Sequence, residues 1–344
     1  MAFTAAQLSS EVRSAYSKDK PIFLGENILE GVTPANAVWR SWTNSFPFPN
    51  YTVGGATYDA TDTAYPTSRL SDRLTSARSR ALLPGGISPN NDRWAFVFLS
   101  AEFSFDSIAI LEHNFGTLSK QYGTYNSGNT FEINIGLSDD GSNWTIIETF
   151  TDPLTDKPLV SFDLANGSGS PSSYAQFSGA TYGAVSIRCV GAAMGSTPST
   201  LPEIGEVVFG KRMQLLHGPI VPYEDRNIGS EVIRYSGSTG TGATFTRYAG
   251  RRIVNANYYL TTNDKGNFLT FYEDHIDHGL KQFLYVPKGS QAAFPASYGG
   301  AEPGEAYWMS LQEDQLNLPV DDVYFLNKMQ LGMRENAPFN SGVQ

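Results

Sequence analysis

The sequence predicts a mostly β protein that consists of a jelly-roll sandwich, a second β-rich domain with one short helix, and an N-terminal helix. Three observations lead to this prediction. The 344 residues include 33 glycines, 19 prolines, 18 tyrosines and 21 phenylalanines, a composition typical of short strands joined by turns. Several apolar runs alternate with polar residues. The length is sufficient for two domains, each with its own core.

The first 25 residues are predicted to form a helical arm. Thr4 and Gln7 have the spacing of a capping box, and Pro21 ends the helix. The apolar residues near one face are Ala5, Leu8, Val12 and Tyr16. Because such a terminal helix either packs on its own domain or docks on a neighbouring subunit, Leu8, Val12 and Tyr16 are interface candidates.

Residues 26–212 are predicted to form the sandwich. The expected strands are 94–99, 105–111, 131–137, a strand opening at Trp144, and 182–192. In the strand 131–137 the residues Phe131, Ile133, Ile135 and Leu137 fall on one face. The Asp140-Gly141 dipeptide marks a tight turn between strands. Antiparallel strands of this length, separated by such turns, are typical of a jelly roll.

Five motifs in this region resemble the discoidin-like, galactose-binding-like domain of tail proteins from long-tailed bacteriophages. In chain order they are LSDRLTSARSRAL, FDSIAILEHNFG, SDDGSNW, YGAVSIRCVG and PEIGEVVFGKRMQL. The most specific pieces are HNFG (113–116) and PEIGEVVFG (202–210). The resemblance implies that a second β-rich domain of the tail shaft or distal ring follows. It also implies that galactose-binding members use loop aromatics or an arginine at one end of the sandwich.

Residues 213–344 are predicted to form the second, β-rich domain. A long strand over 251–262 places Tyr258 and Tyr259 on opposite faces. The period then changes over 267–279, and Gly279 is a helix stop signal. The helical stripe consists of Leu269, Tyr272 and Ile276, widened by Phe268 and Phe271. The segment KQFLYVP returns to strand, and the aromatic-rich excursion 287–308 is expected to contact a partner.

The stretch GSTGTGAT (237–244) resembles a phosphate-binding loop, but Ala243 stands where that motif requires lysine. The flanking sequences EVIRY and TFTRY are typical of strands rather than of a helix start. We therefore predict a hairpin over 231–248 that lies at an interface between subunits. The interface candidates are Tyr235, Gly240, Gly242, Phe245 and Tyr248.

A metal site is a minor hypothesis for Asp274, His275, Asp277 and His278, because helical spacing would bring two or three of them to one ion. The alternative is a solvated polar helix face. No serine lies in a nucleophile elbow, and the acidic pairs lie in turn-like sequences. The sequence therefore predicts no catalytic residues, no cofactor and no enzyme activity.

Charge and cysteine content exclude further classes. The net charge of −10 argues against nucleic acid as a partner. The single cysteine, Cys189, lies in an alternating run and is predicted to be a small buried residue. The chain shows neither a secretion signal nor an apolar run that could span a membrane, so we expect synthesis in the host cytoplasm.

Structural self-assembly is the function that accounts for the helical arm, the hairpin and the aromatic excursion together. The sequence thus predicts a virion structural protein, a distal-tail or tail-tip component that forms a homo-oligomeric ring, with a hexamer as one candidate, and that contacts other tail proteins. The alternative hypothesis is a carbohydrate-binding module that recognises glycans on the host surface through exposed aromatics.

Overall fold

The fold is taken from a computed structural model of the chain. The structure describes residues 21–33, 36–42, 48–49, 57–73, 77–82, 93–100, 105–124, 128–153, 155–156, 158–162, 181–190, 200–215, 218–228, 232–236, 242–246, 251–286, 306–312, 320–321 and 326–335. The predicted N-terminal helix, with Leu8, Val12 and Tyr16, lies outside these residues. So do Gly240, Tyr248 and most of the excursion 287–308.

The strands and helices are almost all short. In chain order they are β1 (Ile22–Leu24), β2 (Ala37–Trp42), β3 (Thr57–Asp59), β4 (Ser79–Arg80), β5 (Arg93–Leu99), β6 (Ser107–Leu111), α1 (Phe115–Tyr122), β7 (Thr130–Ser138), β8 (Thr145–Thr151), β9 (Leu159–Phe162), β10 (Tyr182–Val190), β11 (Glu203–Ile204), β12 (Glu206–Gly210), β13 (Arg212–Gln214), β14 (Ile220–Ile228), β15 (Val232–Ser236), β16 (Gly242–Thr246), β17 (Arg251–Leu260), α2 (Thr262–Thr270), β18 (Phe283–Val286), β19 (Tyr307–Leu311), β20 (Val320–Asp321) and β21 (Leu326–Glu335). The mostly β fold class is confirmed.

The chain divides into two compact units. The first, the sheet unit, contains β1, residues 213–286 and the strands from β19 to β21; the second, the sandwich unit, contains residues 26–212. Every strand pair with a described register is antiparallel. None of the described helices is long and apolar enough to cross a membrane.

The sandwich unit consists of a six-stranded sheet in the order β3-β2-β5-β10-β7-β8, a three-stranded sheet in the order β12-β6-β9, and the short pair β11-β4. One core lies between the larger sheets. It is built from inward-facing residues such as Trp39, Phe96 and Ile133 on one sheet and Ile108 and Val207 on the other. This is the jelly-roll sandwich that the alternating strands predicted.

The predicted alternation on β7 and β10 is confirmed. Phe131, Ile133, Ile135 and Leu137 all belong to the sandwich core. Cys189 on β10 packs in the same core and is 7% exposed, as expected for a small apolar residue.

The uninterrupted apolar run of β5 is explained by a second, smaller cluster. Trp94, Phe96 and Phe98 belong to the sandwich core, whereas Ala95 and Val97 pack in a cluster with Trp42, Phe48 and Ala184. Because successive strand residues point to opposite faces, both faces of this strand are covered. Trp144 stacks on Phe48 with the ring centroids 4.9 Å apart.

The sheet unit is built on a sheet with the order β13-β1-β18-β19-β21-β17-β14, with β20 paired to β21. Phe23 on β1 contacts Phe271 edge to face, at 5.9 Å between ring centroids. Tyr258 is fully buried, whereas Tyr259 is 39% exposed, so the prediction of opposite faces is confirmed.

The helix of the sheet unit begins and ends earlier than predicted. Thr261 and Asp264 form a capping box that starts α2 five residues before the predicted beginning. The helix then passes into a π turn over Phe271–His275. Asp277 and His278 have positive φ, so the chain is no longer helical there. Gly279, at φ +90°, follows as the left-handed residue of the stop signal.

The predicted hairpin is confirmed in its strands. β15 and β16 pair antiparallel, with Val232 opposite Thr246 and Ser236 opposite Gly242. They form a two-stranded sheet of their own. The described residues on both sides of 237–241 are therefore strands, which contradicts the strand-to-helix context of a phosphate-binding loop.

Candidate functional site

The described residues between β3 and β4, 60–73 and 77–78, form the candidate site and are called the β3–β4 loop below. Its backbone is fixed by local bonds: Asp62 Oδ1 accepts from Ala64 N at 2.9 Å, and the Asp62 carbonyl accepts from Tyr65 N at 3.0 Å. Pro66 opens a 3-10 turn over Thr67–Leu70. Thr67 Oγ1 donates to the Ala37 carbonyl at 2.7 Å, which ties the turn to β2.

A pocket of about 210 Å³ lies against this turn. It is lined by Leu29, Val32, Ala37, Thr67, Ser68, Leu70, Ser71, Asp72 and Phe96. Leu29, Leu70 and Phe96 are buried, whereas Ser68 and Asp72 are exposed. The pocket therefore combines buried apolar side chains with accessible hydroxyl and carboxylate groups. Its volume is smaller than that of pockets for drug-sized ligands, so it fits a small group or one ring of a longer chain.

Beside the pocket, the same loop carries an exposed tyrosine flanked by two arginines. Tyr65 is 36% exposed. The guanidinium carbon of Arg80 lies 4.1 Å from the centroid of the Tyr65 ring, and that of Arg69 lies 5.3 Å from it. Both distances are within the range of cation–π attraction. Tyr65, Arg69, Arg80 and Asp62 are called the tyrosine–arginine cluster below.

The charges in this cluster are unevenly paired. Asp62 Oδ2 accepts from Arg80 Nη2 at 2.7 Å and from Nε at 3.0 Å. Burial acts to raise the pKa of Asp62, but the bonds from Arg80 and from the loop backbone outweigh it, so the pKa lies below its ordinary value. Arg69 donates from Nη1 to the Arg78 carbonyl at 3.2 Å. In the described part of the chain no carboxylate lies within 4.0 Å of Arg69.

A buried carboxylate holds the end of the β3–β4 loop against the last strand of the sandwich. Glu206 on β12 is fully buried; its Oε2 accepts from Arg73 N at 3.0 Å and its Oε1 from Asn27 Nδ2 at 3.3 Å. Arg73 has φ +60°, and its guanidinium pairs with Glu30. Burial raises the pKa of Glu206 well above its ordinary value, although the charge of Arg73 acts in the opposite direction.

This network connects two walls of the pocket. Glu30 lies in the 3-10 turn Ile28–Gly31, next to the pocket residue Leu29, and Arg73 directly follows the pocket residue Asp72. The ion pair between Arg73 and Glu30 therefore joins the two segments, and Glu206 attaches both to β12. The side chains that hold the pocket walls in place, Glu30, Arg73 and Glu206, do not themselves line the pocket.

The residues proposed as a metal site are placed elsewhere, in the sheet unit. Asp274 and His275 lie in the π turn and His278 follows it at φ +54°, so the helical spacing that would align them is absent. The ring of His278 contacts Tyr272 edge to face at 5.5 Å. Among the described residues, no group of three or more His, Cys, Asp or Glu side chains lies close enough together to hold a metal ion.

Of the interface candidates, Tyr235 lies on β15 and Gly242 and Phe245 on β16. The two strands pair with each other, so that Tyr235 lies opposite Ala243 and Phe245 lies opposite Ile233. Whether they contact another subunit stays a prediction.

Sequence reasoning did not identify Tyr65, Arg69, Arg80 or the pocket. The arginine that the family resemblance led us to expect was not assigned to a position. The one available indication was the combination of Tyr65-Pro66 with closely spaced arginines in a turn-rich segment. Glu206 lies 133 residues from Arg73, so no local pattern could link the two.

No known family profile matches the sequence, and no curated protein matches it significantly. Similar solved structures include a pectin binding carbohydrate binding module, with 15% identity, 43% of this chain, 84% of that chain and a TM-score of 0.24. A second is the CBM32 of AlyQ in complex with 4,5-unsaturated mannuronic acid, with 16% identity over 47% of this chain and 95% of that chain and a TM-score of 0.25. A third is truncated AlyQ with CBM32 and alginate lyase domains, with 13% identity over 80% of this chain and 55% of that chain and a TM-score of 0.26.

These neighbours contain carbohydrate-binding modules and give no support to a viral tail origin. At TM-scores this low the likeness has no weight for function, and the chemistry of the site is argued from its own residues.

Proposed function

We propose that the sandwich unit binds a carbohydrate and that the pocket of the β3–β4 loop holds one sugar ring. The observation that carries this proposal is the composition of the pocket: hydroxyl groups and one carboxylate stand around buried apolar side chains. A sugar ring has polar hydroxyl edges and apolar C–H faces, and it needs both kinds of contact. The proposal assigns no chemical reaction to the chain.

Within the pocket, Asp72 is the main polar contact in this proposal. An exposed carboxylate accepts hydrogen bonds from two neighbouring hydroxyls, and bonds to a charged group are stronger than neutral ones. Ser68 and Ser71 add hydroxyls that can donate or accept. The buried side chains of Phe96, Leu29 and Leu70 make the floor of the pocket apolar, and the half-buried Val32 is the lining side chain that a C–H face of the sugar can contact.

The first test is a glycan array with the full-length protein, followed by calorimetry on the glycans that bind. We expect Asp72→Asn to weaken binding about tenfold, since a hydrogen bond to a charged group contributes about 1.5 kcal/mol or more. The thermal midpoint of each variant is measured in parallel, so that a loss of affinity is separated from a loss of folding. The matched control is Asp139→Asn, an exposed aspartate in the SDDGSNW turn. Equal affinities for both variants, or an array without binding, would contradict the proposal.

As a second candidate function we propose that the sandwich unit is carried by a ring-forming distal-tail or tail-tip protein of a phage virion; one observation favours the self-association that this function needs. The ladder of β15 and β16 pairs with no other strand among those described. Because an isolated two-stranded ribbon is marginally stable in water, this hairpin would gain order from a neighbouring subunit. Glycan binding and tail assembly are compatible functions of the two units.

We expect the purified chain to form a closed ring in light scattering and to be present in virions by mass spectrometry. Replacing Gly240 and Gly242 together by valine should reduce assembly and leave the sandwich transition unchanged, because two branched side chains are added to the segment where we propose that a neighbouring subunit docks. A chain that stays monomeric at high concentration and is absent from virions would rule out this second function.

A further inference from the structure

We infer that the carbohydrate bound by this unit carries an anionic substituent, a carboxylate or a sulfate, and that Arg69 and Tyr65 form the subsite that recognises it. The inference rests on the proposed carbohydrate binding and adds the chemical class of the ligand. It is based on the tyrosine–arginine cluster, which lies next to the pocket along the chain.

The first argument is that Arg69 is held in place before any ligand binds. Its guanidinium lies over the Tyr65 ring and donates one hydrogen bond to the Arg78 carbonyl. The Arg80 backbone N–H and the Ser79 hydroxyl both donate to the Tyr65 carbonyl, each at 3.2 Å, so the residue that supports Arg69 is itself anchored. Little rotamer entropy remains to be lost on binding.

The second argument is the local charge balance. The other three arginines of this region have carboxylate partners: Arg73 pairs with Glu30, Arg80 binds Asp62, and Arg78 lies 3.2 Å from Glu112 and 3.3 Å from Glu203. Arg69 has no such partner among the residues that the structure describes. A guanidinium carries five N–H donors in a planar fork that matches an oxyanion, and the described bonds use one of them.

The third argument is the position of Arg69 relative to the pocket. Its chain neighbours Ser68 and Leu70 both line the pocket, whereas Arg69 lies over Tyr65 instead. Consecutive Cα atoms are about 3.8 Å apart, so the backbone of Arg69 lies beside the pocket, and we place the anionic substituent on a sugar that adjoins the ring in the pocket. The 36% exposed Tyr65 ring offers an apolar surface at the same place.

The fourth argument concerns specificity. The whole chain has a net charge of −10, so its overall field repels a polyanion. Binding of an acidic glycan would therefore report a local site and not non-specific attraction.

The experiment compares four probes by calorimetry on the full chain: trigalacturonate, its neutral methyl ester, a sulfated galactan and the corresponding unsulfated galactan. We expect wild type to prefer an anionic probe about tenfold over its neutral counterpart. Arg69→Met, which keeps an apolar side chain over Tyr65, should lose that preference and keep the affinity for the neutral probe. Arg69→Lys should retain part of the preference, because it keeps the charge and loses the fork. Arg334→Met, an exposed arginine in the sheet unit, is the matched control.

The outcomes separate this inference from the function on which it rests. A preference for trigalacturonate identifies a carboxylate, and a preference for the sulfated galactan identifies a sulfate. Equal binding of charged and neutral probes overturns the inference and leaves carbohydrate binding intact. If Arg69→Met and Arg334→Met lower the preference equally, the site is not at Arg69. No binding of any probe overturns both proposals.

Discussion

Replacing Gly116 by alanine is expected to destabilise the sandwich unit by about 3 kcal/mol. Gly116 lies in the first turn of α1, where an added Cβ would overlap the backbone of Thr155, 2.5 Å from its carbonyl oxygen and 2.6 Å from its Cα. Backbone atoms cannot move aside as a side-chain tip can, so α1 itself must shift away from the loop. Differential scanning calorimetry should show the sandwich transition about 6–12 °C lower.

The matched control is Gly266→Ala in α2, where an added Cβ meets nothing within 4 Å. There the change should stabilise the sheet unit by about 0.5–1 kcal/mol, because alanine has the higher helix propensity. If the two substitutions have similar effects, the close approach of α1 to Thr155 is not a feature of the folded protein.

The second large effect is expected at Glu206. Glu206→Ala removes the acceptor of the Arg73 N–H and one partner of Asn27, and it leaves a cavity beneath the β3–β4 loop. We expect a loss of about 3 kcal/mol, since a buried donor that loses its acceptor costs about 1–3 kcal/mol and the lost volume adds to this. Glu206→Gln keeps the shape and one acceptor, so it should cost about 1 kcal/mol or less.

The pH dependence tests the environment of Glu206 directly. Burial raises the pKa of this carboxyl in the folded chain, so its stabilising contribution is fully present below its ordinary value of about 4.5 and is lost as the pH rises through the folded pKa. The free energy of unfolding of wild type relative to Glu206→Gln should therefore fall as the pH rises from 4.5. The neighbouring charges are Arg73, Glu30 and Asp72. A difference that rises with pH would show that the Arg73 charge dominates over burial.

Much of the fold could be predicted because its strands carry local patterns. The alternation of Phe131 to Leu137 identified a core face, and Tyr258 and Tyr259 were assigned to opposite faces without knowledge of the partner strands. These predictions depend only on the two-residue period of a strand and on turn residues between strands.

Elements without a strong period were missed. The helix α1, FGTLSKQY, contains Gly116 and the β-branched Thr117 in its first turn, and no helix was predicted there. It is held by tertiary contacts: Thr117 N and Oγ1 bond to the Asp156 carboxylate at 2.9 and 2.8 Å. The sequence contains the capping box at Thr261 and Asp264. The helix was nevertheless predicted to start at residue 267, because the helical spacing of apolar and aromatic residues begins only there.

The candidate site could not be predicted because its contacts join distant parts of the chain. Arg69 and Arg80 meet at Tyr65 only after the loop has folded back on itself, and Glu206 reaches Arg73 across 133 positions. Their residue types are common on protein surfaces, so composition does not distinguish them.

The strand order of the sheet unit has a consequence for synthesis. β1 and β13 are neighbours in one sheet, yet the entire sandwich, residues 26–212, lies between them in the chain. During translation β1 leaves the ribosome first, but most of its sheet does not yet exist. Because domains fold as units while the chain grows, the sandwich can complete its folding before β13 and β18, the strands that pair with β1, have been synthesised. In a ribosome-bound chain stalled far enough beyond residue 212 for β12 to have left the exit tunnel, the sandwich should therefore be protected from protease while β1 stays cleavable.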